Sequence, residues 1–201
     1  MGKIPLRVWL LRSGSSKQYM YLQGYLPDSN YWERNFHAMP MPDDWELPPL
    51  KIIGKTKKLG DSVGWTLGAP VISDRARKIF EPIVGDSVQF VRFHDLHGKP
   101  YFGMNVLRVE AKFLDTERSR CDRQPNGEIA YCSRYVFRSD LPDELPPVFK
   151  ISSGSDVFVT SQFAREVTKH GLTGFCLQDP GENAFELMAN DRPLNAYPGL
   201  I

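Results

Sequence analysis

His94 and His97 stand three residues apart, and two imidazoles at that spacing can share a metal ion if Cys121 or Cys132 supplies a thiolate. Metal sites usually need a third and fourth ligand at readable intervals, and here none follows. The same pair with Asp115 or a cysteine would be the centre of an enzyme of unrecognised type. His37 and His170 are isolated, and His170 suits the negative end of a helix dipole. Asp115, Glu117 and Asp122 alternate with Arg118, Arg120 and Arg123, which reads as a salt-linked loop more than an acid–base pair.

Nucleophile and phosphate motifs fare no better. No G-x-S-x-G occurs, and Ser73 and Ser161 open helices, where a serine hydroxyl acts as a cap. Gly54-Lys55 and Gly98-Lys99 lack the glycine pattern that cradles a phosphate. Lys51, Lys55, Lys57 and Lys58 lie near Trp45 and Trp65, a mixture that could track a nucleic-acid backbone and stack a base. A net charge of +1 supplies no global field for that, so no nucleic-acid partner is expected. The three cysteines, Cys121, Cys132 and Cys176, match neither a zinc ribbon nor a redox pair and read as reduced thiols. No catalytic residue, metal or cofactor is expected.

The elements that would position such residues indicate an α+β fold with a largely antiparallel sheet and two main helices, at about 73–84 and 161–170. The clearest segment is Val157 to Leu177: a β-favouring run to Thr160, Ser161 as the expected cap, Phe163, Ala164 and Val167 at helical spacing, then Gly171 and a second apolar run. The other helix follows Ser73, with Ala76, Ile79, Phe80 and Ile83 as its stripe and Pro82 expected to distort its last turn before Gly85. Val71 to Phe93 thereby echoes Val159 to Leu177 as strand, helix and strand. Recurrence of a favoured unit explains this at least as well as duplication.

Leu6 to Arg12 and Tyr19 to Tyr25 suggest a hairpin around Ser13-Gly14-Ser15-Ser16. Ser87 to Phe93 and Tyr101 to Val109 suggest another, Glu110 to Leu114 extends or re-enters the sheet, and Ile129 to Arg138 is a further strand. From Pro27 to Pro49, five prolines interleave with Trp32, Phe36 and Trp45, which blocks regular structure while supplying large anchors. A loop of that length is uncommon without a function.

The 201 residues are enough for one substantial core, as a single domain over 1–201 or as an N-terminal β subdomain (1–60) beside a main domain (61–180). No apolar run approaches a membrane span, and the N-terminus reads as a strand, not a signal peptide, so no membrane partner and a cytoplasmic location are expected. Residues 1–60 hold nine Lys/Arg against five Asp/Glu, while residues 140–201 hold four against nine. The acidic C-terminal third reads first as a solvated surface and second as a face for a basic partner.

An ordered series of short patterns carries a family resemblance: Leu59-Gly60-Asp61, Val71 to Arg77, Val88-Gln89-Phe90, Tyr101 to Asn105, Leu114 to Ser119, Val148-Phe149-Lys150 and Val157 to Phe175. In this order they resemble immunity-protein family eleven of bacterial polymorphic-toxin systems, over Leu59 to Leu177. Lys150 stands where that family commonly has Arg. The resemblance implies a cytoplasmic antidote, not an enzyme, that blocks a cognate toxin by direct contact, with no catalytic residues. The alternatives are the enzyme named above and an effector-binding adaptor or chaperone; oligomeric state is open. With little net charge to speed encounter, tight binding would depend on aromatic and arginine anchors. The expected contact residues are Trp32, Phe36, Asp43, Asp44 and Trp45 in the proline-rich loop, and Glu182, Glu186 and Asp191 in the acidic tail.

Overall fold

The computed structural model describes residues 8–14, 18–24, 36–45, 50–53, 58–65, 69–93, 95–153 and 156–181. Their elements are, in chain order, β1 (Val8–Ser13), β2 (Tyr21–Gly24), β3 (Leu50–Ile53), β4 (Ser62–Trp65), β5 (Val71–Ser73), α1 (Asp74–Val84), β6 (Val88–Arg92), β7 (Tyr101–Val106), β8 (Arg120–Arg123), β9 (Ile129–Arg134), β10 (Val148–Phe149), β11 (Phe158–Thr160), α2 (Ser161–Lys169) and β12 (Phe175–Gln178). They form a four-stranded sheet, β10-β11-β1-β12, a six-stranded sheet, β3-β2-β4-β5-β7-β6, and the ribbon β8-β9. All strand pairings are antiparallel except β2 with β4, so the α+β class stands.

Three consecutive apolar residues, Trp9, Leu10 and Leu11, explain the position of β1. Successive strand side chains point to opposite faces, so a run with no polar alternation must be covered on both. Trp9 and Leu11 enter a core with α1 and α2, while Leu10 enters a separate core with Phe149, Ile151 and Phe158. β1 therefore sits inside the four-stranded sheet, between β11 and β12. The expected hairpin with Tyr19 to Tyr25 does not form; β2 pairs with β3 and β4 in the other sheet.

The first core lies between the sheets. Ala76, Phe80 and Val84 of α1 meet Phe163, Ala164 and Val167 of α2, and the Phe80 and Phe163 rings stack with centroids 4.0 Å apart. The second core covers the opposite face of the six-stranded sheet with Phe36, Met41, Val63, Trp65 and Phe93. The third covers the far face of the four-stranded sheet with the segment from Phe113 to Ile151.

α1 starts as its sequence dictates: the Ser73 hydroxyl accepts the Ala76 N–H at 3.2 Å. Pro82 lies in its final turns and the helix still runs to Val84 before Gly85 closes it. α2 differs from expectation. Thr160, one residue earlier than Ser161, holds the cap position, makes no side-chain cap bond and is fully buried, while Ser161 is the first helical residue. Glu110 to Leu114 is no strand either; Ala111–Phe113 forms a 3-10 turn above the buried Glu110 carboxylate, which binds Arg108 and Lys112.

The reading of three reduced cysteines also needs correction. Cys121 and Cys132 are cross-strand partners on β8 and β9, with Cα atoms 3.9 Å apart, and are joined as a disulfide; Cys176 keeps its thiol. Linear spacing concealed this because the ribbon's register, not the count of intervening residues, sets the two side chains opposite each other.

The two strand–helix–strand units share one topology. β5 and β6 both run antiparallel to β7, which lies between them; β11 and β12 both run antiparallel to β1, which lies between them. Each helix thus spans a gap filled by a strand from elsewhere in the chain.

Candidate partner-binding surface

Residues 36–45 cross the second core with no regular secondary structure, and the side chains beneath determine what they show to solvent. Phe36, with φ of 61°, turns its ring inward, edge-on to Trp65 at 5.2 Å and Trp45 at 5.8 Å. Gly103 of β7 makes this seat, because a Cβ there would press on the Phe36 and Phe93 rings. Phe36 is consequently 5% exposed and acts as an internal anchor, and Trp45 packs against the same core.

Polar bonds hold the rest. The Asn105 amide donates to Met39 O at 2.7 Å and to Gln89 Oε1 at 3.1 Å. Gln89 treats Met41 as a strand partner, accepting its N–H at 2.7 Å and donating to its carbonyl at 2.9 Å. Lys150, 6% exposed, donates its ammonium to Phe36 O at 2.7 Å and Ser153 O at 3.0 Å. Burial lowers the Lys150 pKa to about 8, and Asp156 acts in the opposite direction. Asp156 in turn holds Arg12 through two bonds and accepts the Tyr135 hydroxyl at 2.9 Å. Burial, with the Asp156 charge, pushes the Tyr135 phenol upward.

What remains exposed is Met39, 67% accessible, with Pro40, Pro42, Asp43 and Asp44. The structure therefore separates the expected contact residues. Asp43 and Asp44 are on the surface, Phe36 is beneath it, and Trp45 is half-buried. Trp32, Glu182, Glu186 and Asp191 lie outside the described residues. Gln89, Asn105 and Lys150, which hold the segment in place, escaped sequence reasoning. Their signal was present: a polar side chain amid the apolar strands Met104-Asn105-Val106 and Phe149-Lys150-Ile151 needs an internal partner.

A second polar centre gathers the patterns that carry the resemblance. Asp61 accepts from the Ser73 hydroxyl at 2.9 Å, the Thr173 N–H at 2.9 Å, the Thr173 hydroxyl at 3.3 Å and Arg75 at 3.2 Å. Arg75 also donates to His170 O at 2.5 Å, and the Tyr101 hydroxyl donates to Gly60 O at 2.6 Å. Burial raises the Tyr101 pKa to about 12. At Gly174, φ of 83° and the adjacent Ser62 carbonyl leave no room for a side chain. Asp61 and Arg75 thereby join the start of α1 to the residues that follow α2, while Tyr101 and Gly174 fix the approach to β4.

His97 is exposed in the β6–β7 connection, and His94 lies outside the described residues. The Cys121 and Cys132 sulfurs are bonded to each other, so neither is a thiolate ligand. Among the described residues no three His, Cys, Asp or Glu side chains form a group that could hold a metal, and no helix is long and apolar enough to cross a membrane. Asp115 accepts the Glu117 and Arg118 N–H groups and closes its own turn, as its charged setting suggested.

The chain is thus an α+β scaffold whose buried polar groups tie its elements together and whose irregular segment presents Met39, Asp43 and Asp44 to solvent. Residues 14–182 match the immunity protein family Imm11, and the chain belongs to that family. No curated protein matches the chain.

Proposed function

We propose that this chain is the antidote of a bacterial polymorphic-toxin system, acting in the cytoplasm of the producing cell. It neutralises a cognate toxin by occupying its surface, without turnover of a substrate. Family membership supports the immunity role, and the observation that carries the mode of action is how the polar side chains are used. Asp61, Ser73, Asn105, Gln89 and Lys150 all bind elements of the protein itself. The contact includes Met39, Asp43 and Asp44, with Phe36 and Trp45 fixing the backbone below them. Trp32 and the acidic tail residues Glu182, Glu186 and Asp191 extend it.

Co-expression with the toxin encoded beside this gene tests the reading. An antidote restores growth and co-purifies with the toxin as a stoichiometric complex. An adaptor or chaperone binds and leaves the cells inhibited. Failure of both binding and rescue overturns the proposal.

A further inference from the structure

β6 is the last strand of the six-stranded sheet, and among the described residues no strand pairs with its outer edge. Phe93 N donates to Tyr101 O and Leu107 N to Ser87 O, so in this register the odd-numbered residues of β6 direct their backbone groups toward β7. Val88, Phe90 and Arg92 direct theirs outward. The Val88 N–H turns back to Gly85 O; the Val88 carbonyl and the N–H and C=O of Phe90 and Arg92 meet no backbone partner among the described residues. Edge strands are commonly blunted by proline, a bulge or a charged side chain; β6 has neither proline nor bulge, and its one charge, Arg92, is paired with Asp95.

The surroundings suit an added strand. On the α1 side an open groove of about 400 Å³ runs between Arg77 and Glu81 of the helix and Val88, Phe90 and Phe102 of the sheet. Alternate side chains of a strand laid along β6 would enter it. On the other face, Asn105 and Gln89 carry residues 39–41 from above β7 to above β6, and Asp43 and Asp44 follow at once.

The charge beside this edge is unbalanced. Arg77 is matched by Asp74 and Glu81, and Arg92 by Asp95. Asp43, Asp44 and Asp86 are exposed and have no ion-pair partner among the described residues. We infer that the toxin supplies an extended segment bearing Lys or Arg, which pairs with β6 as a seventh strand of this sheet. The inference rests on the immunity reading above and adds the mode of recognition to it.

The test uses the full chain and the toxin domain encoded beside its gene, carrying an inactivating substitution. Hydrogen exchange of the wild-type complex should show the Phe90 and Arg92 amides slowed at least tenfold relative to the free chain. Arg92→Pro removes one outward donor while sparing the ladder to β7, and edge strands tolerate proline. It should weaken binding at least tenfold more than Arg92→Ala, which keeps the N–H. Replacing Asp43, Asp44 and Asp86 with Asn should slow association about tenfold at low salt and much less at high salt. If the toxin binds while the Phe90 and Arg92 amides exchange as in the free chain, edge pairing is overturned and the antidote function stands. If the wild-type chain does not bind the toxin, both fall. Should Arg92→Pro fail to fold, the exchange measurement on the wild-type complex decides alone.

Discussion

The backbone N–H of Thr173 donates to the Asp61 carboxylate, 112 positions earlier in the chain, at 2.9 Å. The same carboxylate accepts the Ser73 hydroxyl, whose oxygen caps α1. A helix start, a helix end and the approach to β4 thus depend on one side chain. Asp61→Ala should lower unfolding free energy by about 2–3 kcal/mol, because it leaves several donors without an acceptor. Asp61→Asn, which retains one oxygen, should cost less. Urea denaturation monitored by circular dichroism checks both, and equal stability of all three proteins would contradict the argument.

Lys150 gives the stability a pH dependence of known sign. Its folded pKa of about 8 lies below the ordinary lysine value of 10.5, chiefly through burial. The unfolded chain therefore binds more protons between those values, and stability rises with pH across the window. The contribution is fully present above 10.5, is lost as pH falls through about 8, and amounts to about 3 kcal/mol. The melting temperature of the wild type relative to Lys150→Met should increase from pH 8 to pH 10.5. A difference that shrinks over that range would refute the assignment.

The ribbon makes a chemical prediction. Thiol titration in denaturant without reductant should find one reactive thiol per chain, that of Cys176, and three after reduction. Replacing Cys121 and Cys132 with Ser should cost about 3 kcal/mol, the loop-closure value for a cross-link of this span. Three titratable thiols before reduction would show that the pair is open.

The position of β1 argues that residues 1–60 and 61–180 are one cooperative unit. β1 carries Trp9 and Leu11 into the core shared with both helices. A chain lacking residues 1–60 should show no cooperative thermal transition. A truncated protein that melts sharply would establish a separate subdomain.

Much of the architecture was legible in local patterns. Both helices were visible because apolar residues recur at helical spacing beside Ser73 and Thr160-Ser161, and the β6–β7 hairpin because a polar connector separates two apolar runs. Strand partners were less legible. The serine-rich turn before Tyr19 looked local, whereas the unbroken triplet Trp9-Leu10-Leu11 required neighbours on both sides, supplied by residues 158–178. The cap of α2 was misplaced by one position because hydroxyl residues adjoin at 160 and 161. At the surface, Asp43 and Asp44 are exposed while Phe36 is buried, and an aromatic residue among prolines reads the same in sequence as contact or as anchor. Only the space left by Gly103 distinguishes the two.

The interposed strand governs when this protein can be finished. Residues 8–13 leave the ribosome well before their hydrogen-bonding partners at 158–160 and 175–178 have been made. Until then the nascent chain carries an apolar strand with neither neighbour in place, and closure of the sheet awaits a contact spanning most of the described residues. A chain cut short before β12 should therefore leave β1 paired along one edge only.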